Sequence, residues 1–143
     1  MLVLWCVCVR ESGAVMANEE QLAKLRASIA EQNGCATWNQ WRRDHPNVPI
    51  DLSSAHLTGA NLFGVDLARA DCLGANLIRA DLIGAILMGA HLTGADLTGA
   101  VLNAANLDGA HLTGAVMTPS QLDATHSHEG ATLPPGLPYR RAD

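Results

Sequence analysis

Between Ile50 and Met117, large and small aliphatic residues recur with a period of five. The large ones are Leu52, Leu57, Leu62, Leu67, Cys72, Leu77, Leu82, Leu87, Leu92, Leu97, Leu102, Leu107, Leu112 and Met117. Two places before each stands a smaller residue, alanine throughout except for Ile50 and Val65. A mostly polar residue separates the two. After the large residue come a variable position and then glycine, with Arg69, Arg79 or Ala104 in its place at some repeats. A period of five matches neither the roughly 3.6 of a helix nor the roughly 2 of a strand, so the pentad itself is the structural unit, one corner-turning step of a coil. The large and small positions fill a narrow tube, and the other positions face water. Leu57 to Leu112 in this series, with Cys72 as a small buried hydrophobe, form the expected core of the lumen.

The string A-D/N-L-x-G that results resembles the pentapeptide-repeat family. The resemblance implies an all-β repeat: a right-handed quadrilateral parallel β-helix, a solenoid with four pentads to a coil and backbone hydrogen bonds between stacked coils. Residues twenty apart are then vertical neighbours, separated by about 4.8 Å. The block over 50–117 makes a little over three coils, a column about 15 Å tall. A single coil cannot bury its leucines alone, so stability is a sum of neighbour interfaces and both ends need covering.

The flanks supply candidate covers. Residues 17–46 read as a helical N-terminal cap: Asn18 with Gln21 three residues on suggests a capping box, Leu22, Leu25 and Ile29 an apolar stripe, and Asn33-Gly34 its end. Thr37 with Gln40 suggests a second box and a short helix whose Trp38 and Trp41 plug the first coil. The stretch from Trp38 to Arg43 is similar to a segment that precedes the repeats in some family members. Residues 118–143 read as a short C-terminal cap helix and an extended tail. Thr118 is its N-cap, Pro119 its first residue and Leu122 its cover over the last leucines. Thr132 to Pro138 is expected to run over the surface. Residues 1–16 stand apart: the apolar run Leu2 to Val9 is too short to span a membrane and lacks signal-peptide flanks. Met16-Ala17-Asn18 is a more natural beginning, so this extension is expected to be a mistaken upstream start or a disordered tail.

Charge narrows the partners. The formal net charge is −5, and Asp51, Asp66, Asp71, Asp81, Asp96 and Asp108 lie in the repeat against Arg69 and Arg79. No basic stripe is present to neutralise phosphates, so no nucleic acid is expected, and no membrane. The protein is expected to be cytoplasmic. Four scattered cysteines make no disulfide framework, and Cys6 with Cys8 is a weak metal signal.

Candidate chemistry is sparse. Asp51, Asp71, His91 and His111 fall in one vertical column, and two imidazoles one rung apart can hold a metal, though solvated neighbours are the commoner outcome. The same holds for His126 and His128. No cofactor and no metal are expected. An enzyme needs a cleft that a filled tube does not offer, so no catalytic residues are assigned. Outward positions of the second coil carry Leu73, Ile78, Ile83, Ile86 and Met88, with Phe63 directly below Ile83. Such an apolar belt is expected to meet the N-terminal helix, a second copy in a homodimer, or an unknown protein partner. The function expected is a noncatalytic scaffold for protein–protein interaction. The alternative is a DNA-mimic binder of a type II topoisomerase, the quinolone-protection activity of some family members. Against it stand a short column, a modest charge, an apolar belt and the lack of their long C-terminal dimer module.

Overall fold

Every pentad closes on itself through a turn. The Ala55 N–H donates to the Leu52 carbonyl at 3.0 Å, and the equivalent bond recurs in each pentad up to Ala115 and Leu112. The third residue of each turn has positive φ, as a type II turn demands, which is why glycine recurs there. Ser54, Arg69, Arg79 and Ala104 adopt the same left-handed conformation without glycine, at φ of 55°, 58°, 57° and 59°.

These turns are corners. In the computed structural model, which describes residues 17–137, parallel bridges pair Asp51 with Asp71, His56 with Asn76, Asn61 with Asp81 and Asp66 with Ile86. The chain thus returns above itself after four pentads, and the coil has four sides, numbered here from the one containing Leu52. From the pentad of Leu52 to that of Leu92, three bonds join each pentad to its neighbour above, as in Leu52 N to Asp71 O, Asp71 N to Ile50 O, and Ser54 N to Leu73 O, at 2.7–2.8 Å. The bridges are isolated. Among the described residues no continuous strand forms, because the turn takes two of every five residues and leaves one bridged residue per side. The parallel β-architecture expected from the pattern is therefore a stack of single bridges rather than of strands.

Inside the coil, Leu52 to Leu112 of the large series are at most 3 % exposed, Cys72 included. The small series is buried as well, apart from a half-buried Ala60 at the bottom; Met117 at the top is half-buried too. Each buried leucine contributes on the order of 1.5–3 kcal/mol.

Among the described residues three helices flank the coil: α1 (Glu19–Ile29), α2 (Ala36–Asp44) and α3 (Pro119–Asp123). Several boundaries differ from expectation. Asn18 caps α1 by accepting from the Gln21 N–H at 3.1 Å, but the Gln21 side chain does not complete a capping box; it bonds Pro49 O and the Asp51 N–H instead. α1 ends at Ile29, ahead of Asn33-Gly34. The N-cap of α2 is Cys35, whose side chain makes no capping bond, and Thr37 lies inside the helix, where its hydroxyl donates to Glu31. Thr118 and Gln121 form a full capping box on α3.

Beyond α3 the chain rejoins the coil rather than running free. Ser127 bridges Asn106 and Thr132 bridges His111, an offset of 21 rather than 20 because α3 absorbs one extra residue. Glu129-Gly130 then forms the corner, with Gly130 at φ 70°. Thr132 is exposed, as expected of the tail, but its backbone sits in a rung, and Leu122 is 2 % exposed. The N-terminal extension with Cys6 and Cys8, and Pro138, lie outside the described residues.

Candidate interaction surface

The polar position of the repeat has a bonding role. In a pentad the residue after the leucine has an N–H that no backbone carbonyl reaches across the rung. Eight aspartates and asparagines supply the acceptor: Asp51, Asn61, Asp66, Asp71, Asn76, Asp81, Asp96 and Asn106 each take the N–H two residues on, at 2.9–3.2 Å. This local Asx bond explains the D/N of the motif. It also ties these carboxylates to the scaffold rather than to acid–base chemistry. The Thr98 hydroxyl holds the Asp96 carboxyl below its ordinary range, and the Ser127 hydroxyl does the same for Asp108.

The lower edge of the first coil is occupied from the helices. Four carbonyls point down from its sides. Asp51 O accepts from Asn18 N, His56 O from Arg26, Asn61 O from the Cys35 thiol, and Asp66 O from Trp38 Nε1 at 2.9 Å. Asn39 bonds both Gly64 O and the Asp66 N–H, and Arg42 bonds Ala68 O. Trp38 is fully buried. Trp41 is only half-buried; it packs against Trp38 with ring centres 5.4 Å apart, stacks on His45, and lies under the Lys24 ammonium. An exposed backbone edge would template pairing with other chains, and here side chains fill it. Pairs such as Arg26 and His56 are some thirty residues apart and follow no period, so sequence reasoning could not find them.

The apolar belt is a ring. Leu73, Ile78, Ile83 and Met88 occupy the same position in four successive pentads, so each points from a different side. A flat partner can touch two adjoining sides, and the densest pair is the third and fourth. Phe63, 58 % exposed, lies in the column below Ile83, and Ile86 and Met88 follow around the corner at 40 % and 45 %. Ile78 and Ile83 are half-buried. Two further exposed apolar residues lie beyond the belt, Val101 on the third side and Val116 on the second. Their signal was available: both place valine where the motif calls for Asp or Asn.

A groove of about 330 Å³ runs between α1 and the second side, lined by Leu22, Ala23, Arg26, Ala55 and His56 among others. The rings of His91 and His111 stand 4.8 Å apart at 52°. His128 contacts the Thr125 hydroxyl through Nδ1 at 3.1 Å. Burial pushes the Cys72 thiol up to about 12 and the Cys35 thiol to about 11, so neither is a nucleophile at neutral pH. Among the described residues no helix is long and apolar enough to cross a membrane.

Comparison with known proteins matches the repeat region. The family model for pentapeptide repeats matches residues 55–94 and 95–123, in 8 copies. No curated protein matches the chain significantly. Solved structures do. One is HetL, a pentapeptide repeat protein involved in heterocyst differentiation regulation from the cyanobacterium Nostoc; it is 36 % identical over 56 % of this chain and 35 % of its own, with a TM-score of 0.27. A pentapeptide repeat protein from the Arabidopsis thaliana thylakoid lumen is 32 % identical over 63 % of this chain and 68 % of its own, at a TM-score of 0.33. Rfr23 from the cyanobacterium Cyanothece is 36 % identical over 62 % and 63 %, at 0.27. The chain thus spans about a third of HetL and just under two thirds of Rfr23. A motif repeated in register, corners that require its glycines, side-chain bonds that require its Asx residues and a family model matching the same stretch lead to one assignment: the chain belongs to the pentapeptide repeat family.

Proposed function

We propose that the protein is a noncatalytic scaffold that engages a protein partner through the third and fourth sides of its coil. On this reading the fold is a right-handed quadrilateral β-helix closed by α1 and α2 below and α3 above, with all specificity on the outside. The observation that carries the proposal is the exposed cluster of Phe63, Ile86 and Met88 on adjoining sides of a column whose interior is filled. Apolar groups held on a rigid backbone lose little entropy on binding, which favours recognition. A filled lumen leaves no internal chamber for substrate, and Asp51, Asp66, Asp71, Asp81 and Asp96 are engaged in Asx bonds. The same cluster favours this reading over a DNA mimic, which needs continuous acidic sides.

The partner is a protein or a second copy of the chain, and cytoplasmic residence belongs to the same reading. Affinity capture from native lysate, run beside light scattering, tests it. Wild type should retain a partner or self-associate, and the double variant Phe63→Ser, Met88→Ser should do neither while keeping its circular dichroism. Equal behaviour of the two proteins would overturn the assignment of this surface.

A further inference from the structure

We propose that His91 and His111 form a surface chelate for a divalent transition ion, copper or nickel ahead of zinc. The two residues are bridged directly one above the other, and His91 N bonds Ala70 O while His111 N bonds Ala90 O, both at 2.9 Å. The backbone therefore fixes the spacing before any ion arrives. The rings stand with centres 4.8 Å apart, tilted at 52°, and both residues are exposed. A bidentate site with metal–nitrogen bonds of about 2.0–2.1 Å needs donor nitrogens roughly 3 Å apart. The proposal requires rotation about the side-chain bonds to close the nitrogens to that distance, since the bridged backbone fixes the spacing of the two residues.

Residue choice supports a role beyond packing. In the other pentads, the position held by His91 and His111 carries Asp or Asn in eight, each accepting the N–H two residues on, and His56, Ile86, Val101 or Val116 in the rest. Two consecutive rungs of the first side give up that bond for imidazole. The rung below is Asp71, bridged to His91 and oriented by the Leu73 N–H on its Oδ1. A carboxylate next to a ligating imidazole is the usual outer partner that sets tautomer and basicity. The rung above is Thr132, bridged to His111 and exposed. Two imidazoles with the remaining positions open to water suit ions that accept tetragonal nitrogen and oxygen donors, and copper(II) binds such sites most strongly. Because the ligands must be neutral, protons compete and binding weakens as the imidazoles charge.

The inference does not depend on the scaffold reading, since it concerns a different side of the coil. The test is calorimetric titration of the full chain with nickel chloride in a noncoordinating buffer. The controls are His91→Asn, His111→Asn and the tail variant His126→Asn, His128→Asn. The expected result is one equivalent bound near neutral pH, abolished in either single variant and retained in the tail variant. Copper loading of the tail variant, which leaves positions 91 and 111 intact, should show two coupled imidazole nitrogens by electron paramagnetic resonance. No heat with wild type, binding that survives in either single variant, or fewer than two coupled nitrogens would overturn the proposal.

Discussion

The indole N–H of Trp38 donates to the carbonyl oxygen of Asp66 at 2.9 Å, so a buried aromatic from α2 completes the backbone of the first rung. Trp38→Phe keeps most of the ring and loses the donor, leaving that carbonyl unsatisfied, and should cost about 1–3 kcal/mol. Trp38→Ala adds a cavity and should cost about 3–5 kcal/mol. Trp41→Phe should cost less than either, since Trp41 is half-buried. Urea unfolding of the three variants checks the order.

The corners predict opposite signs for glycine and alanine. Ala104 sits at φ 59°, where a Cβ costs roughly 1–2 kcal/mol, partly offset by the greater unfolded-state freedom of glycine. Ala104→Gly should therefore stabilise by about 0.5–1 kcal/mol. Gly99→Ala should do the reverse and more strongly: its φ is 68°, and a new Cβ would meet the Arg79 Cγ one rung below at 3.4 Å. Thermal denaturation of the pair beside wild type reads both signs.

Overpacking the lumen should be costly where the wall is closed. Ala80 is fully buried in an interior rung, and Ala80→Leu should destabilise by about 1–3 kcal/mol or more. Thr93→Leu, on the partly exposed position of the first side, should change stability by less than about 0.5 kcal/mol. Equal midpoints in denaturant would contradict the inward and outward assignment.

Acid should loosen the top of the coil through Asp108. Its carboxylate accepts from the Ser127 hydroxyl and, at 2.8 Å, from the Glu129 N–H, and the Ser127 bond chiefly holds its pKa down. A folded pKa below the unfolded one gives stability that is complete above the unfolded value of about 3.9 and is lost as pH falls through the lowered folded value. Exchange protection of the Leu107 and Gly109 amides, which bond Ser127 O and Glu129 O, should decline over that window. In Asp108→Ala the protection should be lower at neutral pH and flat across the same range.

The repeat was readable because its period is strict and its inward positions are apolar without interruption. What broke the reading was a single residue. From Leu122 to His128 the spacing is six rather than five, so the A-T-L of Ala131 to Leu133, which keeps the motif behind Gly130, looked like tail instead of coil. Capping rules failed on α2 for a different reason: Thr37 has the right spacing to Gln40, but Glu31 takes its hydroxyl, and Gln40 bonds Asp44. Local motifs compete with tertiary partners, and here the partners won. The apolar belt was visible as a list of residues; its division among four sides followed only when the bridges placed each column. The side-chain bonds to the lower edge link residues that share no pattern, and no one-dimensional reading reaches them.

The four-pentad return of the chain restricts how such a molecule can change length. Inserting twenty residues adds a storey and leaves every column aligned, whereas inserting five turns all later rungs by a quarter, so Ile86 and Met88 would move to the side now facing elsewhere. The lower helices grip specific carbonyls and would stay put while the upper part rotated. Duplication of whole storeys is thus the silent route of growth, and a single-pentad event is a mutation of surface identity with the interior unchanged.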